Sequence, residues 1–223
     1  METNPNLMYI PSSFAERDLP TLFAFIEAHP LATLVTSASH DGLLATHLPL
    51  VLERVAGPMG TLVGHLARAN PHSRSFTDGA VDALVIFTGP DAYITPEWYA
   101  TKRDTGLVVP TWNYVAVHAH GVLRLRDDPE FIRPHLEALT TQHEATRHNA
   151  WQVSDAPAEF IAQQTKAIVG VELRIDRLEG KWKMSQNRSA ADIDGVVRGL
   201  DESPSGQDQA VSAIVQQRRP SGS

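Results

Sequence analysis

The chain has 223 residues, long for one minimal domain and short for two, with 19 Lys and Arg against 26 Asp and Glu, a formal net charge of −7 and no Cys. The lack of Cys excludes disulfide frameworks, thiolate zinc sites, Cys-held iron–sulfur clusters and a Cys nucleophile. The acidic balance argues against a protein held on nucleic acid by bulk charge, because such binding needs Lys and Arg clustered on phosphates. Met1 to Pro11 carries no basic residue and does not read as a secretory signal, and no apolar run nears the roughly 20 residues of a membrane helix. The expectation is a cytoplasmic globular protein with no membrane segment.

In chain order, Asp18-Leu19-Pro20 starts a helix, with an N-cap carboxylate and Pro in the first turn, and Pro30 ends it. Leu31 to Ser37 reads as a buried strand, Ser39-His40-Asp41-Gly42 as a hairpin turn, and Leu43 to Glu53 as the returning strand, with Pro49 marking an edge or bulge. Strands follow at Thr61 to Leu66, Val81 to Thr88 and Ala92 to Thr95. The clearest runs from Tyr114 to Arg126: Val115, Val117, Ala119, Gly121, Leu123 and Leu125 share one face, and His118, His120, Arg124 and Arg126 the other. Asp128-Pro129 caps a second helix, Ala156 to Gln164 forms a shorter one, Gly170 to Glu179 is the last strand, and Ser189 to Leu200 closes as a helix. From Asp201 onward 13 of 23 residues are Ser, Gly, Pro or Gln, which predicts a disordered polar tail over 201–223 with room for a short helix at Ala210 to Val215. One domain over residues 1–200 is the simplest account. The class is mainly β with flanking helices, and the absence of a strand–helix–strand series favours a closed or nearly closed antiparallel barrel.

Several chemistries are absent. His143 and His148 are five apart, so they do not share a metal from one helix face, and no metal site is expected. There is no G-x-S-x-G elbow, phosphate loop or G-x-G-x-x-G. Three clusters remain. His65, Arg68 and Asn70 leave a strand in a setting suited to an anion, or form an Arg-capped surface turn. Trp112, Asn113 and Tyr114 open the longest strand, where a planar ligand could stack or an aromatic plug close a barrel end. Lys183, Gln186 and Arg188 lie in a basic segment rich in amides. His118 and His120 form an H-x-H pair without a placed third ligand.

In order, Pro30 to Thr36, Ala45-Thr46-His47-Leu48-Pro49-Leu50, Gly64 to Pro71, Gly89 to Ile94, Val108 to Tyr114 with Val117-His118, and Lys183-Met184-Ser185-Gln186-Asn187-Arg188 resemble the PaiB family, whose members are labelled FMN-binding negative transcriptional regulators. The resemblance covers about residues 7–200. His72, where members carry an aromatic residue, and Glu97, where they carry Ser, depart from the pattern and bear on the pocket rim. The resemblance implies an FMN-binding antiparallel split β-barrel that forms a homodimer with two flavin sites at the subunit interface. It places phosphate contacts at His65, Arg68 and Asn70, and ring contacts at Thr46, His47 and Leu48. Trp112, Asn113 and Tyr114 stand near the ring or the dimer seam, and Lys183, Gln186 and Arg188 close the site.

Three functions follow as alternatives: an FMN-binding regulator of transcription, an FMN-dependent oxidoreductase acting on a small molecule, and a haem-binding protein of the same fold. No side chain declares itself a catalytic acid or base. The first 200 residues hold 17 basic and 23 acidic side chains, so direct DNA binding is doubtful and a regulatory role could be indirect.

Overall fold

A computed structural model describes residues 8–38, 42–75 and 79–220. The elements, in order, are β1 (Ala15–Glu16), α1 (Leu19–Ala28), β2 (Leu31–Ala38), β3 (Gly42–Pro49), β4 (Val51–Glu53), β5 (Thr61–Ala67), β6 (Ala80–Ile94), α2 (Ala100–Asp104), β7 (Thr111–Arg126), α3 (Pro129–Glu144), α4 (Ala158–Lys166), β8 (Ile168–Lys183), α5 (Ala190–Asp201) and α6 (Gly206–Gln217). The strands form one antiparallel sheet in the order β3-β2-β6-β7-β8-β5-β4, with β1 beside β8. This is the β-rich class with flanking helices that the sequence predicts. Residues 39–41, where the hairpin turn is expected, lie outside the described residues, but β2 and β3 pair from Leu31↔Pro49 to Ala38↔Gly42.

The chain divides into two compact units where the sequence suggested one domain. The first takes the described parts of Met1–Asp18, Thr88–Val117 and Glu179–Ser223, and the second Leu19–Phe87 and His118–Leu178. In the second unit, β3 and β4 stand at opposite ends of the strand order yet are joined through Leu50 alone. A sheet whose two edges are tied by one residue must curl until those edges meet, which is the barrel condition. Pro49 marks the switch. The predicted single strand from Leu43 to Glu53 is two strands, because β3 pairs β2 while β4 pairs β5. A Cβ on Gly64 would lie 2.6 Å from Leu50 Cδ2 and 3.2 Å from the Pro49 carbonyl oxygen, so β5 passes close to this crossing. Leu34, Leu48, Leu62, Leu66, Val85 and Leu173 fill this core.

In the first unit, Ser189 caps α5 by accepting the Asp192 N–H, and Val196 and Leu200 of α5 are buried. The expectation of a disordered tail is corrected at Gly206–Gln217. Ser205 caps α6 by accepting the Asp208 N–H, and Val211 and Val215 are buried in packing that includes α5. Two valines four residues apart, Val211 and Val215, give a segment of polar composition an apolar stripe on one helix face. No helix among the described residues is long and apolar enough to cross a membrane.

Candidate functional site

Six of the twelve predicted residues lie in the second unit. The pleat of β3 turns Thr46 and Leu48 inward and His47 outward, so these three do not form one surface. Leu48 is core. His47 Nδ1 lies 2.9 Å from the hydroxyl of Thr33, its register partner on β2. Thr46 and Asn70 do meet. The Asn70 amide donates to Thr46 Oγ1 at 3.3 Å, and Asn70 Oδ1 accepts the His72 N–H at 3.0 Å. His72 is the residue that organises this cluster. Its ring nitrogens lie 2.8 Å from Thr36 Oγ1 and 2.8 Å from Thr46 Oγ1. Burial lowers its pKa, so at neutral pH the ring is uncharged and supplies one donor and one acceptor. The sequence marked His72 only as a departure from the family pattern.

His65 is taken up by His135 of α3, with Nδ1 and Nε2 3.0 Å apart, and burial lowers the pKa of each. Arg68 makes its contacts within its own unit. Its Nη1 and Nη2 both donate to the Asp127 carboxylate, and its Nε donates to the Lys166 carbonyl at 2.9 Å. The guanidinium fork is engaged by an acid of the same unit.

The other six residues lie in the first unit. Asn113 is fully buried, and its amide exchanges hydrogen bonds with Ser185 Oγ at 3.0 and 3.2 Å. It stabilises a turn in which Ser185 adopts a left-handed φ of 64°, so it does not present a polar edge to a ligand. Gln186 is likewise turned inward: its Oε1 accepts the Met184 N–H at 2.7 Å and its Nε2 donates to the Trp182 carbonyl at 2.6 Å.

Four groups remain presentable. Alternation places Trp112 and Tyr114 on one face of β7, and Lys181 and Lys183 on one face of β8. The Lys181 ammonium lies 5.2 Å from the Tyr114 ring centre, so these faces are on the same side of the sheet. Trp112 is 53% exposed and packs edge-on against Tyr93, itself 49% exposed. Lys183 donates to Thr111 Oγ1 at 2.6 Å and to the Trp112 carbonyl, and Arg188 lies over the Tyr99 ring at 4.6 Å. Burial, followed by the charges of Lys181 and Arg188, lowers the pKa of Lys183.

The described grooves do not collect these residues. One of about 990 Å³ in the second unit runs between α3 and α4 and includes none of the twelve. One of about 420 Å³ in the first unit is bordered by Phe14, Trp182, Gln186 and Arg218.

Residues 8–177 match the model of the family described as "Putative FMN-binding domain". The chain is 31% identical over 205 residues to "Protease synthase and sporulation protein PAI 2" of Bacillus subtilis, covering 91% of this chain and 95% of that protein. The chain belongs to the PaiB family. An uncharacterised protein of Emericella nidulans is 34% identical over 244 residues, covering 95% of this chain and 97% of its own. Among solved structures, the FAD and haem binding protein of Mycobacterium smegmatis has a TM-score of 0.56 at 19% identity, covering 81% of this chain and 78% of that one. The flavocytochrome Anf3 of Azotobacter vinelandii has a TM-score of 0.55 at 16% identity, covering 76% and 69%. These likenesses establish the split-barrel fold.

The residues of this PaiB-family chain fit FMN. A phosphate monoester needs cations not already neutralised by carboxylates, and an isoalloxazine needs aromatic or apolar surface. The first unit carries both, as Lys183 with Arg188 and as Trp112 with Tyr93.

Proposed function

We propose that this protein binds FMN as a homodimer and serves in negative control of transcription, with the flavin rather than bulk charge as the regulated element. The observation that carries the flavin part is the pairing, within one unit, of an exposed aromatic pair with cations that have no carboxylate partner. Family membership supports it. Trp112, Tyr114, Lys183 and Arg188 are the contacts proposed on the first unit. Bound flavin would supply hydride or electron chemistry, while the protein binds it, orients it and excludes water. The exposed Leu107 and Val109, in the segment entering β7, add apolar surface suited to a second copy.

The test is a visible spectrum of the purified protein before and after added FMN, with sedimentation of the same sample. Flavin bands with a dimer mass support the reading. A Soret band would favour haem, and a spectrum that stays empty with FMN overturns the cofactor. A DNA-mobility titration across salt then examines regulation, since a shift without sequence preference would remove direct DNA reading. Anaerobic reduction of the bound flavin by NADH or NADPH would favour the oxidoreductase alternative.

A further inference from the structure

We infer that the groove between α3 and α4 is a binding site for a long-chain carboxylate, with the acyl chain laid along the two helices and the carboxylate held at Lys166 and Arg133. The site is separate from the flavin reading: none of its lining residues belongs to the flavin contacts proposed above.

The 9 residues of α4 include no buried side chain. Isolated helices shorter than about 12–15 residues are marginal in water, so a helix of this length is held by packing of its apolar face. That face exists. Ala158, Ile161, Ala162 and Thr165 recur at helical spacing, and all four border the groove. The Thr165 hydroxyl donates to the Ile161 carbonyl at 2.8 Å, so its polar atom is satisfied within the helix. Leu136 of α3 lines the groove as well, and Trp151 and Val153 of the connecting segment complete the apolar lining. The stripe on α4 therefore borders a space of about 990 Å³ instead of a core. Small-ligand sites run to about 1,000 Å³, so there is room for one large ligand.

The groove has two distinct ends. Arg68 donates to the carboxylate of Asp127, just before α3, and to the carbonyl of Lys166, the last residue of α4, so these helix ends lie together. At the far end the Trp151 N–H donates to Glu144 Oε2 at 3.1 Å, which ties the connecting segment to the last residue of α3. From Arg133 to Glu144 the α3 wall runs about 16 Å at 1.5 Å per residue, a span suited to an extended acyl chain.

Charge selects the head group. Both acids of the lining are engaged, Glu137 by Arg133 Nε at 3.2 Å and Glu144 by Arg147 Nε at 3.2 Å. Asp127 and Asp128, which precede α3, are held by Arg68 and Arg126. Lys166 is the remaining charge, and among the described residues its ammonium has no ion pair or hydrogen bond. Arg133 gives only Nε to Glu137, so its terminal nitrogens are left to donate. A monoanion at this end balances Lys166, whereas a neutral lipid leaves that charge uncompensated and a dianionic phosphate carries one charge too many.

The experiment follows cis-parinarate, a polyene carboxylate that fluoresces in apolar sites, with its methyl ester as the uncharged comparison. It uses the full chain and Ala162→Trp, Lys166→Glu and Arg103→Glu, all substitutions of exposed residues, with circular dichroism to check folding. The expected result is that the acid binds at least tenfold more tightly than the ester and is displaced by palmitate but not by butyrate or FMN. Ala162→Trp fills the groove and loses both probes, and Lys166→Glu loses the preference for the acid alone. Arg103→Glu, in α2 and outside the groove, keeps both probes and the preference. If Ala162→Trp does not fold, Lys166→Glu carries the comparison of acid with ester. No binding by the unaltered protein, equal binding of acid and ester, unchanged binding in Ala162→Trp, equal weakening of both probes by Lys166→Glu, or displacement by FMN overturns the assignment. Sedimentation of the same samples adds a further check: a dimer that Ala162→Trp dissociates would put a second copy in the groove and overturns it too.

Discussion

A Cβ placed on Gly199 of α5 would lie 2.2 Å from the Trp98 indole, and one on Gly195, a turn earlier, 1.8 Å from the Trp98 carbonyl oxygen. The helix therefore meets residue 98 at backbone distance along one face, and the two glycines are the condition for that contact.

Gly199→Ala is expected to destabilise the protein despite alanine's better helix propensity. Overpacking costs roughly 1–3 kcal/mol, against a propensity gain of about 1 kcal/mol. Gly206→Ala at the start of α6, where an added Cβ meets nothing within 4 Å, is the control and should be neutral or slightly stabilising. Urea midpoints of the two variants decide it, and equal midpoints would remove the steric argument.

Ser185 and Asn113 give an ordered pair of effects. Ser185→Ala loses both hydrogen bonds and keeps the strained φ, while Ser185→Gly loses the same bonds and relieves the strain. The loss is about 1–3 kcal/mol for the unsatisfied amide, with about 1 kcal/mol returned by glycine. Thermal melts should therefore rank unaltered protein above Ser185→Gly above Ser185→Ala; a reversed order of the two variants would contradict the left-handed turn.

Stability should fall as the pH drops from about 6.5 toward 4. Burial, then the charge of His65, lowers the His135 pKa from 6.5 to about 4, so in this window the unfolded chain binds the proton and the folded one does not. Stability is fully present above the unfolded value and declines below it, by roughly 3 kcal/mol at most from this residue. Urea titrations at pH 7.5, 6 and 5 should show the decline, and His135→Phe should flatten it. A variant with an unchanged slope would place the acid sensitivity elsewhere.

Much of the fold was legible because local signals and burial agreed. Asp18-Leu19-Pro20, Asp128-Pro129 and Ser189 each stand at a helix start, and the alternation from Val115 to Leu125 describes the core face of β7. Gly89-Pro90 misled, since the sequence predicts two strands and β6 runs unbroken from Ala80 to Ile94. The reason is local: β2 pairs with β6 only from Ala83 to Ile86, so the missing N–H of Pro90 faces no β2 carbonyl. The site was less legible. Arg68 and Asp127 are 59 residues apart with no pattern joining them, and only the fold shows that the cation is engaged. Asn113 reads as a polar group beside aromatics, yet the period-two face that carries Val115 carries it inward as well.

The C-terminal segment offers a final measurement. Val211 and Val215 are essentially unexposed, so Val211→Ala should cost about 1–3 kcal/mol by urea denaturation. A mobile tail would show no change.

The interleaving of the two units along the chain has a consequence for synthesis. All residues of the second unit precede Glu179, whereas the first needs Glu179 onward to pair β1 with β8 and to supply α5 and α6. On the ribosome the second unit can close while the amino-terminal and middle stretches of the first still wait for their partners. The early stretch Thr88–Val117, with its exposed Trp112, Leu107 and Val109, is then the portion most open to wrong association. No single cut separates the units, so neither can be shed or exchanged as a block, and the pair must be inherited together.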